Sequence, residues 1–286
     1  EISLGLVGSE MCIRDRVKDH IMNILVFIKE VPDDSVAVSV QEDRAAISDI
    51  TPVVNAFDTY SLEMAVRLKE AQEDEESQVV VVSIGNEEVK NSLKNCLAVG
   101  ADKAYLVKND DYRKLDAKAI TEILMGAKEK LEAELGAFDV ICFGKETTDA
   151  EASQVGVYFA NKNDLGVVTS VIAMEKDGDK LVTKQEIDGG YRQVETSLPS
   201  VVTIAKPDYE PRYPTIKSKM AARRQKIDDF EVEATSSPIL EEVKDFEPKK
   251  REAGVKIQEE EVEDTVAKAI SPVSYTHLRA HETEAD

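Results

Sequence analysis

Residues 116–156 read DAKAITEILMGAKEKLEAELGAFDVICFGKETTDAEASQVG, and this stretch decides the fold class. Asp116 is placed to cap a helix, and Gly136 offers the left-handed residue that ends it. The strand Asp139–Phe143 follows directly. A one-sided helix that leads at once into a short apolar strand predicts a helix packed on a buried sheet. The apolar stripe of this helix comprises Ile120, Ile123, Leu124, Ala127, Leu131 and Leu135.

The same alternation of strand and helix extends toward the amino terminus. The apolar runs at 23–28 and 78–84 predict strands, while Asp58 and Asn86 are placed to cap two helices. Strands that are apolar almost throughout are buried on both sides, which is typical of parallel sheets. We therefore predict an α/β protein with a mostly parallel sheet covered by helices on both faces.

The pattern changes beyond residue 161. Asp188, Gly189 and Gly190 form a strong turn signal between two strands, which predicts a β-hairpin. A basic stretch, 217–226, predicts a further helix. From Glu231 the chain is highly charged and predicts a surface arm, whose amphipathic stretch 262–270 needs another surface to bury its apolar side. Four strands are expected in this half, the two of the hairpin at 181–187 and 191–196 and two others at 167–173 and 200–205.

Composition excludes several classes of function. The formal net charge of −21 would repel nucleic acid and anionic lipid, which both need a positive face. Three cysteines, Cys12, Cys96 and Cys142, are too few and too widely spaced for a disulfide framework or a metal cluster. No run of about 18 apolar residues and no basic secretory start is present. We expect a cytoplasmic protein without membrane insertion.

The two ends of the chain differ from the rest. Residues 1–21 and 272–286 lack strand or helix periodicity and resemble translated sequencing-adapter read-through, so we expect both to be extraneous. The chain's three histidines, at positions 20, 277 and 281, all lie within or beside these segments. The expected organisation is then a nucleotide-binding α/β domain at 22–230 followed by an arm at 231–271. Without a histidine in this body, nucleophilic and metal chemistry are disfavoured.

The segment GKETTDAEASQVG, residues 144–156, is the first candidate site. It follows a buried strand and leads into a helix, which is where doubly wound sheets bind ligands. Gly144 permits close backbone approach, Thr147 and Thr148 supply donors, and the helix amino terminus suits a phosphate. Three carboxylates would repel phosphate, so at least one should face ribose, solvent or a cap; these are Glu146, Asp149 and Glu151. The plain alternative is a strand-to-helix turn capped by Asp149.

Two other positions suggest ligand contacts, each with a plainer alternative. Lys29 follows the first strand, where its cation could meet a phosphate or a carboxylate, although a solvated lysine is the usual outcome. Asn55 precedes the helix near Asp58, and its amide could contact adenine or ribose, although capping is favoured from sequence alone. The basic patch formed by Lys217, Lys219, Arg223 and Arg224 is either a solvated face or a partner contact.

Seven segments in order resemble the electron transfer flavoprotein beta subunit family. The resemblance extends from Met22 to about Ser271, nearly the whole body. Two positions and one short run depart from the family pattern: Ala56 replaces a proline, Glu146 replaces a glutamine, and Asp149-Ala150-Glu151 replaces a run richer in Gly or Asp. The matching segments are NILVFIKEVPD (23–33), VNAFDTYSLE (54–63), VVSIG (81–85), LAVGADKAYLV (97–107), FGKETTDAEASQVG (143–156), EIDGGYRQVETSLPSVVT (186–203) and YPTIKSKMAARRQK (213–226).

The resemblance implies a Rossmann-like domain of the adenine nucleotide alpha-hydrolase-like kind that binds AMP. It also implies a heterodimer with an alpha subunit, whose FAD site this chain completes, and an acyl-CoA dehydrogenase-like redox partner contacted by Ile216. Such a subunit is an electron carrier, with redox activity only through bound flavin. The arm at 231–271 would pack on the alpha subunit. The implied cofactor-binding residues are Phe27, Ile28, Lys29, Asn55, Ala56, Phe57, Asp58, Ile84, Gly144, Lys145, Glu146, Thr147, Thr148, Asp149, Ala150, Glu151, Ala152, Ser153, Gln154 and Val155.

Three other functions remain open at this stage. Some members of the family bind a second FAD in place of AMP, oxidise NADH and split electron pairs between two acceptors. An ATP-hydrolysing or adenylating enzyme of related fold should carry a glycine-rich pyrophosphate loop or a phosphate-binding Lys-Ser/Thr pair, and neither pattern is visible in the sequence. A nucleotide-sensing module without a redox role would be stable without an alpha subunit.

Overall fold

The computed structural model describes residues 21–72, 76–247, 249, 257 and 261–270. The extraneous ends expected at 1–21 and 272–286 lie outside the described residues, apart from Ile21. The chain divides into two compact units, Glu1–Asp245 and Phe246–Asp286. In the second unit residues 262–270 are helical.

The first unit alternates strands and helices. Its helices are α1 (Ala56–Glu70), α2 (Lys90–Ala98), α3 (Ala117–Leu135), α4 (Val155–Lys162) and α5 (Ile216–Arg224). Its strands are β1 (Asn23–Ile28), β2 (Glu30–Pro32), β3 (Val40–Gln41), β4 (Arg44–Ala45), β5 (Pro52–Val54), β6 (Gln78–Gly85), β7 (Lys103–Lys108), β8 (Val140–Gly144), β9 (Gly166–Asp177), β10 (Lys180–Ile187), β11 (Gly190–Ser197), β12 (Ser200–Ile204) and β13 (Asp228–Phe230). The alternation from β1 through α4 is as predicted, with four short strands, β2–β5, that were not predicted between β1 and α1.

Nine strands form one sheet in the order β11-β10-β9-β12-β8-β1-β6-β7-β13. In this spatial order, the neighbours β9-β12-β8-β1-β6-β7-β13 all pair parallel. β10 pairs antiparallel with both β9 and β11. The mostly parallel sheet and the hairpin are both confirmed. The edge strand β13 was not predicted. It has three residues, two of them aspartates, so it carries too little apolar pattern to reveal itself in the sequence.

Each face of the sheet has its own apolar cluster because successive side chains of a strand point to opposite sides. Ile24, Val26 and Ile28 of β1 pack with residues of α1, α2 and α5. Leu25 and Phe27 of the same strand pack with residues of α3 and α4. Helices therefore cover both faces, as predicted.

Local capping signals explain several element ends. Asp116 accepts a hydrogen bond from the Ala119 N–H at 2.9 Å and so caps α3, as predicted. Asn86 accepts one from the Glu88 N–H at 3.1 Å, where a short 3₁₀ turn, Glu87–Val89, leads into α2. Gly136 ends α3 with φ of +89°, a conformation that glycine adopts without strain.

The two described cysteines behave as core residues. Cys96 and Cys142 are buried free thiols, and burial raises the pKa of Cys96 to about 12. Within the described part of the chain, no group of His, Cys, Asp or Glu side chains is arranged to hold a metal ion. Among those same residues, no helix combines the length and apolar character needed to cross a membrane.

Candidate functional site

The strand order reverses direction between β1 and β8. From β1 the chain adds β6 and β7 on one side, and it then returns to add β8 and β12 on the other. β1 and β8 are neighbours in the sheet, and the chain leaves their carboxyl ends in opposite directions. Such a reversal opens a crevice at the strand ends, which is the usual ligand position in open α/β sheets. The loop 145–154 lies at this crevice.

A buried carboxylate joins the ends of the two central strands. Asp58, 4% exposed, accepts a hydrogen bond at Oδ2 from the Lys29 N–H at 2.8 Å and one at Oδ1 from the Gly144 N–H at 3.1 Å. Burial raises the pKa of Asp58 to about 7, although the two N–H donors favour the charged form. The prediction that Asp58 caps its helix was wrong, because α1 begins at Ala56 and this carboxylate turns toward the strand ends.

Gly144 allows α1 to approach the end of β8. A Cβ atom at this position would lie 2.3 Å from Asp58 Oδ1 and 2.9 Å from Phe57 Cβ. Such distances leave no space for a side chain. Close approach was predicted for Gly144, and in the structure the approaching atoms belong to the first turn of α1.

A single buried amide fixes the first part of the loop. Asn55, with no exposed surface, donates from Nδ2 to the Glu146 carbonyl oxygen at 2.8 Å and accepts at Oδ1 from the Thr148 N–H at 3.1 Å. The side chain makes no capping hydrogen bond, although Asn55 is the N-cap residue of α1 by position. The favoured prediction of plain capping was therefore wrong. Asn55 instead connects the start of α1 to two peptide groups of the loop, an arrangement that we call the Asn55 bracket.

The rest of the loop has an unusual backbone. Glu151 and Ser153 have φ of +48° and +52°, a region that residues with side chains rarely adopt. The N–H groups of Ala150 and Glu151 both donate to the Thr147 carbonyl oxygen, at 3.2 and 2.8 Å. Residues held in such conformations cluster at functional sites. The turn is therefore held by its own hydrogen bonds in a conformation that an ordinary strand-to-helix connection does not require.

Asp149 pairs with the lysine at the end of β1. Lys29 Nζ lies 2.7 Å from Asp149 Oδ2 and 2.9 Å from Oδ1. The capping role considered for Asp149 was wrong, because α4 begins at Val155 after Gln154, and no side chain caps it. Lys29 thus meets a carboxylate, one of the two groups considered for it, while 38% of its side chain remains exposed. Of the other loop acids, Glu146 accepts a hydrogen bond from Ser153 Oγ at 2.9 Å.

Three of the proposed contact residues are core residues near the carboxyl ends of β1 and β6. Phe27, Ile28 and Ile84 are 4%, 6% and 8% exposed, so their side chains belong mainly to the core. The Phe27 ring lies 4.9 Å from that of Phe143 and 5.4 Å from that of Phe159, between ring centroids. Only their backbone atoms at the strand ends are suited to contact a ligand. The remaining residues of 144–155 and Ala56 are at least partly accessible.

Ile216 belongs to a different surface. It is the first residue of α5 and is 82% exposed, and Tyr213 just before it is 87% exposed. Thr215 and Ser218 form a capping box that fixes the start of this helix. On its other side α5 packs on α2, with Ala222 buried. The predicted partner-contact residue is thus presented on a well-formed helix end.

Sequence reasoning missed a charged network that holds the segment before α5. Arg212 donates from Nε to Glu63 Oε2 at 2.8 Å and from Nη1 to Glu70 Oε1 at 2.7 Å, both on α1. Burial alone would raise the pKa of Glu63, but the hydrogen bonds from Arg212 and Arg67 outweigh it and lower that pKa. Arg212 and Glu63 lie 149 residues apart, so no local pattern reveals the contact.

Comparisons with known proteins agree with this architecture. The family described as "Electron transfer flavoprotein domain" matches residues 47–235. The electron transfer flavoprotein subunit beta of Megasphaera elsdenii is 32% identical over 253 residues, which covers 84% of this chain and 93% of the relative. The corresponding human protein is 32% identical over 256 residues, covering 86% and 96%. This chain belongs to the electron transfer flavoprotein beta subunit family.

As an electron transfer flavoprotein subunit, the chain has most of its candidate site inside the matched region. Asn55, Asp58 and the loop 144–155 fall within 47–235, as does Ile216, whereas Lys29 precedes it. The match to Thermoanaerobacterium thermosaccharolyticum subunit beta, 33% identical over 219 residues, again covers most of both chains, at 74% and 81%.

Proposed function

We propose that this chain binds AMP at the loop 144–155 and, with an alpha subunit that holds FAD, carries electrons from an acyl-CoA dehydrogenase-like partner to an acceptor. One observation carries the nucleotide part of the proposal. The buried Asn55 amide and the Asp58 carboxylate fix the loop backbone at the point where the strand order reverses. A binding loop that is held in shape before the ligand arrives loses little entropy on binding.

The loop has the groups that a nucleoside monophosphate needs. Thr147 and Thr148 are partly accessible, and the first N–H groups of α4 have no acceptor within the helix, so they are available to a phosphate. Lys145 supplies a cation in the same loop, and Lys29, which is paired with Asp149, adds a second positive charge at the end of β1. Glu146 and Glu151 are suited to ribose hydroxyls, which donate hydrogen bonds to carboxylates. These features support a ribose with one phosphate.

Electron transfer itself requires the flavin, which supplies the redox chemistry when bound, while this chain contributes binding and orientation. The arm supports a contact with an alpha subunit. Its backbone is tied to α3, because Asp116 accepts hydrogen bonds from the N–H groups of Ile239 and Leu240. The side chains of Ile239, Leu240 and Val243 nevertheless remain 68%, 68% and 83% exposed. Apolar side chains presented in this way are suited to cover a partner surface.

Contact with the dehydrogenase is assigned to the start of α5. Tyr213, Ile216 and Met220 are 87%, 82% and 53% exposed and lie together in sequence, next to the basic patch at Lys217, Lys219, Arg223 and Arg224. An apolar centre with a charged rim is the usual anatomy of a protein interface. A partner with an acidic rim would complement this surface.

Flavin reduction tests the proposed direction of electron flow. The chain would be co-expressed with a cognate alpha subunit, and the purified complex mixed with an acyl-CoA dehydrogenase reduced by its substrate. Bleaching of the flavin absorbance of the complex is the expected result. Reduction by NADH, with no response to the dehydrogenase, would contradict it and favour the bifurcating alternative with a second FAD. A chain that forms no complex with any alpha subunit would indicate a nucleotide-sensing module.

A further inference from the structure

The Lys29–Asp149 ion pair bridges the two sides of the candidate site. Its lysine follows β1 and its aspartate lies in the loop after β8, with 2.7 Å between Nζ and Oδ2. The side chains are 38% and 29% exposed, so the pair lies at the rim where a ligand enters. The backbone below is fixed, because the Lys29 N–H donates to Asp58 Oδ2 at 2.8 Å. The Lys29 side chain thus extends from a fixed backbone and pairs its charge with Asp149.

The remaining charges around the loop leave a negative balance. Lys145 is the second cation, and Glu146 and Glu151 add two carboxylates to that of Asp149. The end of β1 and the loop together thus carry two lysines and three exposed or partly exposed carboxylates, before the buried Asp58 is considered. This balance is unfavourable for a strongly anionic ligand, since like charges within several ångströms repel even near the protein surface. It is less unfavourable for a ligand with a single phosphate.

We propose that Asp149 is a specificity-determining residue that makes this site select nucleotides with one phosphate over nucleotides with two. By pairing with Lys29, Asp149 withholds a cation from the ligand, and its own carboxylate repels additional negative charge. The inference rests on the proposed nucleotide-binding function and deepens it, because it assigns the preference for a monophosphate to one ion pair. Asp149 need not touch the ligand to have this effect, since the interaction acts through charge.

The size of the effect follows from electrostatics. ADP carries about one more negative charge than AMP at neutral pH, and this extra charge would interact with a unit charge on Asp149 across several ångströms of partly solvated space. An interaction of this kind changes relative affinity by about fivefold. Removing the charge in Asp149→Asn should strengthen the binding of both nucleotides, and that of ADP by about fivefold more than that of AMP. The ratio of the two dissociation constants is therefore the informative quantity.

A second variant should move this ratio in the opposite direction. Lys29→Gln removes the cation and leaves Asp149 unpaired, so ADP should lose about fivefold more affinity than AMP. Glu195→Gln is the matched control. Glu195 is an exposed acid paired with Lys180 at 3.1 Å on the β10–β11 hairpin, and its loss changes net charge by the same amount as Asp149→Asn. The control should leave the ratio unchanged.

The experiment is equilibrium dialysis of AMP and of ADP against the nucleotide-free full chain, as wild type and as the three variants, in complex with its alpha subunit. We expect the wild type to bind AMP more tightly than ADP. The ratio of the ADP dissociation constant to the AMP dissociation constant should be smaller in Asp149→Asn and unchanged in Glu195→Gln. AMP binding with equal ratios in wild type and Asp149→Asn would overturn the inference and leave the proposed function intact. A wild type that binds neither nucleotide would overturn the nucleotide-binding part of the proposed function itself.

Discussion

Asn55 holds the carbonyl oxygen of Glu146 at 2.8 Å from its amide nitrogen, across 91 residues of sequence. The same amide accepts the Thr148 N–H through its oxygen. One side chain at the start of α1 therefore fixes two peptide groups of the loop that follows β8. The shape of the candidate site thus depends on this long-range bracket and on the neighbouring Asp58 carboxylate as well as on hydrogen bonds within the loop.

Replacing Asn55 by aspartate should misplace the loop. The change keeps the size of the side chain but puts a carboxylate oxygen against the Glu146 carbonyl oxygen, so a donor is lost in a fully buried place. We expect a loss of about 2 kcal/mol in the free energy of unfolding and at least about tenfold weaker AMP binding. Urea denaturation and equilibrium dialysis measure the two effects.

The control for this change is Asn109→Asp. The Asn109 side chain only accepts a hydrogen bond, from the Asp111 N–H at 3.0 Å, and an aspartate keeps that acceptor. Unchanged stability and AMP affinity are expected for the control. Equal losses in both variants would show that the effect of Asn55→Asp does not depend on the bracket.

Asp58 should make stability depend on pH near neutrality. Because burial raises its pKa from 3.8 to about 7, the folded chain holds this proton more tightly than the unfolded chain does. Its contribution to stability is fully present below about pH 4 and is lost as the pH rises through about 7. Between about pH 5 and about pH 7 the free energy of unfolding of the wild type should therefore fall more steeply than that of Asp58→Asn.

Urea denaturation at several pH values gives this comparison directly. The variant can be less stable at every pH without affecting the argument, because only the slope is compared. Parallel pH profiles of the wild type and Asp58→Asn would contradict the assignment of a raised pKa to Asp58.

Gly144→Ala should separate α1 from the end of β8. The new methyl group would lie 2.3 Å from Asp58 Oδ1, so the carboxylate must move away from at least one of its two N–H donors. We expect destabilisation of about 1–3 kcal/mol and weaker AMP binding. Gly190→Ala is the matched control, because a Cβ atom there meets nothing within 4 Å. Equal melting temperatures for the two variants would argue against this close contact.

A charge at position 216 should interrupt electron transfer without affecting folding. Ile216 is 82% exposed, so Ile216→Glu buries no charge in the isolated chain and should leave its melting temperature unchanged. At an interface with the dehydrogenase, however, the charge would be desolvated, and the rate of flavin reduction should fall at least about tenfold. Ile187→Glu, at an exposed position on the hairpin, should leave the rate at the wild-type value. A wild-type rate of flavin reduction in Ile216→Glu would show that this residue is not part of the contact surface.

The local elements of the fold could be predicted because their signals are local. The cap at Asp116, the glycine after α3 and the turn at 188–190 each act within a few residues, and each occurs where the sequence predicts it. The edge strand β13 escaped prediction because its pairing with β7 depends on tertiary contacts. Ion pairs that hold this strand, such as the one between Lys90 and Asp229, form only when distant parts of the chain have come together, so the sequence pattern does not reveal them.

The candidate site could be predicted from the sequence only in part. Its position, at the end of β8 before α4, follows from the alternation of strands and helices. The roles of its side chains do not, because Asn and Asp near a helix start are favoured as caps whenever only neighbouring residues are considered. Asn55 and Asp58 make their hydrogen bonds to residues that lie 29 to 93 positions away, so only the folded structure distinguishes a long-range bracket from a cap.

The most direct test of the account is to co-express the full chain with a cognate alpha subunit, purify the complex, and count the flavin and AMP released per heterodimer. We expect one FAD and one AMP per heterodimer, with AMP lost and FAD retained in Asn55→Asp. Two FAD and no AMP would contradict the assignment of the loop 144–155 to a nucleoside monophosphate.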